Sequence, residues 1–142
     1  MVLSNVELAD VYKRASGLIS NGWTRSFCAI NRINLMVYMK DQLHNIPDLE
    51  NTSFCAYGAL VYALSEKQVY NDYGDDNDET INMLLSPLVN YLKDNADLDV
   101  TENTRVVPII IRWNDAELTT KKHVLDSLVH VIKNLQINAQ EN

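Results

Sequence analysis

Arg105-Val106-Val107-Pro108-Ile109-Ile110-Ile111-Arg112-Trp113 is the stretch on which the fold class turns. Its Val and Ile side chains are branched at Cβ, which favours extended backbone and predicts a buried strand. Pro108 has no N–H to give to a ladder, so the strand belongs at a sheet edge or reduces to extended chain. Read this way, the segment puts sheet into a chain whose other patterns are mostly helical.

Downstream, Asn114-Asp115 suits an Asx-type turn and Thr119 or Thr120 can cap a final helix. Val124, Leu125, Leu128, Val129, Ile132 and Leu135 form its apolar stripe, Lys133 near the end suits the helix dipole, and residues 137–142 form a polar tail expected to fray. Upstream, Ser4-Asn5-Val6-Glu7 matches a capping box. Leu8, Val11, Tyr12, Ala15, Leu18 and Ile19 then recur at helical spacing, and Asn21-Gly22 supplies a left-handed stop, predicting a helix over 5–20. A helix is also predicted from Thr52/Ser53 to about Glu66, with Gly58 costing about 1 kcal/mol relative to Ala. Another follows a cap at Asp78, with Ile81, Leu84, Leu85, Leu88 and Leu92 inward and a kink or break at Pro87.

Between the first two helices, Phe27 to Tyr38 lacks a clean helical period. Alternation there is compatible with extended structure and a hairpin near Asn31 to Asn34, while Leu35 to Met39 fits a buried helix equally well. Ile46-Pro47-Asp48 is a turn. The expectation is one compact domain over 1–142, α+β and mainly helical, with about four helices and one or two short strands. At 142 residues such a domain buries enough surface to need neither disulfide nor metal.

The net charge of −7 disfavours direct nucleic-acid or anionic-membrane binding. With no long apolar run and no leader, the expected location is the cytoplasm. The acidity is local: residues 41–80 hold nine acids against the single base Lys67. Its centre, Asn71 to Glu79, fails as a calcium loop, because Gly74 at the sixth position would put Val69 at the first. It reads as a solvated approach to a helix N-terminus; the functional alternative is an acidic mimic that engages a basic host protein.

Cys28 and Cys55 each stand in a Ser-Phe-Cys-Ala tetrapeptide, but the flanks do not repeat. The expectation is two reduced, buried thiols, with no zinc site and no other cofactor. A small hydrolase or transferase can be assembled on paper from Cys55, His123 or His130, and Asp115, since a helix N-terminus activates a thiol. Phe54 and Ala56 point instead to a buried cysteine, and no GxSxG, HExxH or Gly-rich phosphate loop is present.

Each tryptophan lies at an element end beside an arginine. In one reading both are lids on the core. In the other they line a shallow pocket whose indoles stack a planar ligand while Arg25 and Arg112 pair with an anion. The ligand-binding residues are then Trp23, Thr24, Arg25, Arg112, Trp113, Asn114 and Asp115.

Gly22-Trp23, Cys55-Ala56-x-Gly58-Ala59-Leu60 and Trp113-Asn114-Asp115 before a Thr-capped helix together resemble a family of small uncharacterised proteins of bacteria and their phages. That family carries a Gly-Trp…Cys-Ala-Leu-Gly-Ala-Leu…Trp-Asn-Asp pattern; here Tyr57 replaces the usual Leu. The family has no assigned activity, and the resemblance implies a shared fold and, from its occurrence on mobile elements, a role against host defence. The functional expectation is a non-catalytic binding module that sequesters a small anionic, nucleotide-like ligand or occupies a host protein. Met and Tyr side chains of 33–39 could also build a homo-oligomer contact.

Overall fold

The computed structural model describes residues 3–67, 79–96 and 105–141. The acidic run centred on 71–79 therefore lies outside the described residues except for Glu79, and so does the expected cap at Asp78.

Helix α1 (Asn5–Asn21) opens on the capping box: the Glu7 N–H donates to Ser4 Oγ and the Ser4 N–H to Glu7 Oε1, both at 3.1 Å. The expected inward face, from Leu8 to Ile19, is buried. Gly22 ends the helix in extended backbone (φ −179°), so the left-handed stop is not formed. Glycine is needed there for space, because a Cβ would stand 2.5 Å from Ser53 Oγ and 3.2 Å from Ser53 Cα.

The uncertain segment resolves into a hairpin, β1 (Ala29–Asn31) against β2 (Val37–Tyr38), with Ala29 opposite Tyr38. Asn31 builds the turn by accepting the Ile33 and Asn34 N–H groups on Oδ1 at 2.8 and 3.0 Å. Two 3₁₀ turns, Lys40–Asn45 and Leu49–Asn51, lead to β3 (Thr52–Phe54), which pairs antiparallel with β1 and completes a sheet of order β2-β1-β3. The helix expected from Thr52/Ser53 therefore begins later, as α2 (Ala56–Ser65). All three β3 residues are buried, so both faces of the strand are covered, and residues 22–24 run along its second edge: the Phe54 N–H donates to Gly22 O and the Thr24 N–H to Phe54 O. A strand buried on both faces shows no alternation, so its residues merged with the helical pattern that follows.

Helix α3 (Glu79–Asn95) runs unbroken through Pro87 where an interruption was expected, burying Ile81, Leu84, Leu85, Leu88 and Leu92. The largest departure is the 105–113 stretch, which is a helix: α4 spans Val106–Asp115. Pro108 stands at its third residue, where the missing N–H would have had no helical acceptor and the ring meets no preceding turn. Val107, Ile110, Trp113 and Asn114 are buried while Ile111 and Arg112 face out, which is a helical period. Packing of that face overrides the β propensity of the individual residues. The α+β assignment holds through the hairpin and β3, with five α-helices among the described residues.

Helix α5 (Lys121–Glu141) includes most of the expected tail, with Ala139 half-buried. Its cap is reciprocal: the His123 N–H donates to Thr120 Oγ1 at 3.2 Å, and the Thr120 N–H to His123 Nδ1 at 3.1 Å. Helix α1 packs along α5 on one flank and α2 on another, and α3 and α4 close the remaining side of one continuous core. Tyr12, fully buried at its centre, donates its hydroxyl proton to Leu84 O at 2.6 Å, and burial pushes that phenol far above its ordinary value. No described helix is long and apolar enough to cross a membrane.

Candidate functional site

The paired tryptophan motifs meet at Asn114. Its side chain, fully buried in the last turn of α4, accepts the indole N–H of Trp23 (2.8 Å) and the N–H of Ala56 (2.9 Å) on Oδ1. Its amide nitrogen donates to Thr24 O (3.1 Å) and Asp115 Oδ1 (3.0 Å). Both acceptor and both donor positions of the amide are thus used. Asp115 Oδ1 also receives the Ser26 N–H at 2.9 Å, holding Ser26 at a φ of 72° that a non-glycine residue adopts only with support.

Arg25 extends this joint outward. Its guanidinium lies 4.9 Å above the Trp23 ring and donates to the carbonyls of Glu117 and Thr119, tying residues 116–120 to the 23–26 segment. Trp23, Thr24, Arg25, Asn114 and Asp115 therefore form an internal clasp that joins α4, the start of α2 and the link into α5.

The clasp backs onto a cleft of about 930 Å³ between α3, α4 and α5, which lies within the range of small-molecule sites. Arg112 and Trp113 line it, so two of the seven expected ligand residues face the cleft and five hold its rim in place. Trp113 is 6% exposed and serves as floor; Arg112 is exposed and makes no ion pair with a described residue. The opposite wall brings His123 and His130, read from sequence only as partners for Cys55, together with Tyr91, which was not singled out. His130 of α5 stacks on Tyr91 of α3, with ring centroids 5.4 Å apart and planes 14° from parallel. His123 also lines the cleft; with Nδ1 accepting from Thr120, its ring proton sits on Nε2, which is a hydrogen-bond donor. Two acids line the cleft: Asp126, paired with Lys122 at 3.1 Å, and Glu117 on the link between α4 and α5. The seven-residue spacing of His123 and His130 was a visible signal, but nothing in sequence places Tyr91 opposite them.

Cys55 lies elsewhere, as the N-cap of α2. Its Sγ accepts the Gly58 N–H at 3.2 Å and its own N–H donates to Cys28 O at 3.1 Å. The hydrogen bond with the Cys28 thiol, and then burial, push the Cys55 thiol well above its ordinary value, which is opposite to the tuning of a nucleophile. His123, His130 and Arg112 share the cleft; Cys55 does not line it. Among the described residues no group of three or more His, Cys, Asp or Glu side chains is arranged to hold a metal ion.

Residues 3–134 match the model of a family of unknown function, DUF6197. No curated protein and no solved structure matches the chain. The family match takes in every element from α1 to most of α5, including the clasp and the cleft, and the chain belongs to that family.

Proposed function

We propose that this member of a family of unknown function is a non-catalytic binding module, and that its α3–α4–α5 cleft takes a small planar anion of nucleotide-like chemistry. The observation that carries the reading is the lining itself. A cation without an ion partner among the described residues, Arg112, shares the cleft with the Tyr91–His130 stack. A guanidinium suits a phosphate or carboxylate, and a flat aromatic pair suits a base or similar ring. His123 Nε2 supplies a second donor; of the two carboxylates in the lining, Asp126 is paired with Lys122, while Glu117, on the 116–120 link, is the one an anion must avoid. Trp23 and Arg25 act behind this site, by holding the rim. The phage or mobile-element setting, with a role against host defence, belongs to the proposal on the sequence resemblance alone.

Calorimetric titration with nucleoside mono- and diphosphates tests the reading. Binding by the wild type should fall at least about tenfold in Arg112→Gln, the loss of one charge-assisted hydrogen bond. Equal binding by both proteins would remove Arg112 from the site and the anion from the proposal.

Occupation of a host protein has its own support. Ile33, Leu35 and Met39 are 72%, 68% and 61% exposed around the hairpin, and Leu35 holds a φ of 64° that its side chain disfavours. A host protein that binds Arg112→Gln as well as wild type, but not Leu35→Asn, would favour this second reading.

A further inference from the structure

The two Ser-Phe-Cys-Ala tetrapeptides were left without a role by sequence, and the fold brings them face to face. In the β1–β3 ladder Asn31 is opposite Thr52, Ile30 opposite Ser53 and Ala29 opposite Phe54. One further step in the same register sets Cys28 opposite Cys55, and the Cys55 N–H donates to Cys28 O at 3.1 Å in continuation of that ladder. Directly opposed residues of an antiparallel pair project from the same face. The two thiols are accordingly in hydrogen-bond contact with each other. Gly58 lets the chains approach: a Cβ on it would lie 2.8 Å from the Cys28 carbonyl carbon and 3.1 Å from its Cα. Both cysteines are reduced in the structure, but only Cys55 is buried as expected: Cys28, just before the start of β1, is partly exposed. Opposed residues in an antiparallel ladder have Cα atoms about 4.5–5.5 Å apart, a separation a disulfide spans without moving the backbone far.

We propose that Cys28 and Cys55 form a redox-modification site at which a hydroperoxide converts the opposed thiols to an intramolecular disulfide. Cys28 is partly exposed and Cys55 is buried beneath it, so the oxidant meets Cys28 first. The Cys28 sulfur, as thiolate, attacks the peroxide; the O–O bond breaks, and Cys28 becomes a sulfenic acid as the leaving oxygen takes up a proton. Oxidation removes the Cys28 thiol contact that holds Cys55 from acting as a nucleophile; Cys55 sulfur then attacks the adjacent Cys28 sulfur, the S–O bond breaks, and the thiol proton leaves with the hydroxyl as water. With hydrogen peroxide the sum is two thiols and one peroxide giving one disulfide and two waters. A dithiol reductant reverses it by exchange. The site sits at the N-cap of α2 and is independent of the cleft and of any ligand there.

The test treats the full chain with hydrogen peroxide and alkylates it with iodoacetamide in denaturant. The expected result is loss of both titratable thiols in a monomer lighter by two hydrogens, a Cys28–Cys55 linked peptide after digestion, and full recovery with dithiothreitol. Cys55→Ser keeps a capping side chain for α2 and should trap Cys28 as a dimedone adduct; Cys28→Ser should leave Cys55 unlabelled. Circular dichroism checks that both variants remain folded. Two alkylatable cysteines after peroxide, a bridge between two chains, or dimedone on Cys55 in place of Cys28 would each overturn the proposal.

Discussion

At Asn114 one amide terminates four separate needs: the Trp23 indole, the first N–H of α2, the Thr24 carbonyl and the Asp115 carboxylate. Replacing it with Ala leaves the buried Ala56 N–H and the half-buried Trp23 indole and Thr24 carbonyl without that partner. At about 1–3 kcal/mol for each stranded group, only partly additive, Asn114→Ala should lose about 3 kcal/mol in urea unfolding. A loss within about 0.5 kcal/mol, the ordinary range for an exposed site, would mean that the clasp holds nothing. Gly58 gives a sharper sign test. Helix propensity alone predicts that Gly58→Ala stabilises by about 1 kcal/mol. The approach of a new Cβ to 2.8 Å from the Cys28 carbonyl carbon predicts the reverse, a clear drop in the urea midpoint. A rise in the midpoint would contradict the close packing of α2 on residue 28.

Among the elements, α1 has a pH-sensitive start. The Ser4 N–H and hydroxyl hold the Glu7 carboxyl below its ordinary value. A carboxyl lowered by folding contributes stability above its unfolded value, and that contribution is lost as pH falls through the folded one. Glu7→Gln should therefore lower the neutral-to-alkaline plateau of a plot of Tm against pH and flatten part of its acid limb, so that the two curves converge as the carboxyl protonates. Parallel wild-type and variant acid limbs would show that the cap carries no linkage. The elements also differ in how much of them sequence exposes. Leu8 to Ile19 and Ile81 to Leu92 bury one face each and show it as a stripe, so α1 and α3 were legible. Val106 to Trp113 carries the same period, but its β-branched residues and Pro108 pointed to a strand until the buried face against α3 settled the matter. Thr52 to Phe54 was hidden for the opposite reason, since a strand buried on both faces has no exposed residue to mark a two-residue period. For the site, the motif residues were legible as a group while their roles were not. Trp23 and Asn114 meet across 91 positions of sequence, and their hydrogen bond turns five of the seven into a clasp, leaving Arg112 and Trp113 to the cleft.

Taken whole, the molecule separates support from contact. The sheet and the N-terminus of α2 fix residues 22–26, the clasp carries that order to the end of α4, and Arg25 passes it to the link that rims the cleft. The cleft wall is drawn from α3, α4 and α5 and from residues 116–119 of the link between the last two, so its shape depends on the packing of the helices and on the hold of Arg25 on that link. This arrangement predicts that cleft substitutions and clasp substitutions behave differently: Arg112 is exposed and can be changed without cost to folding, whereas Asn114 cannot. The most direct measurement is native mass spectrometry of wild type and Arg112→Gln, each purified gently and then exposed to the same nucleoside phosphates, with Tm recorded alongside. The account predicts a stoichiometric adduct on the wild type that is lost in Arg112→Gln at unchanged Tm. An adduct retained by Arg112→Gln, or none on the wild type with any of these phosphates, would contradict it.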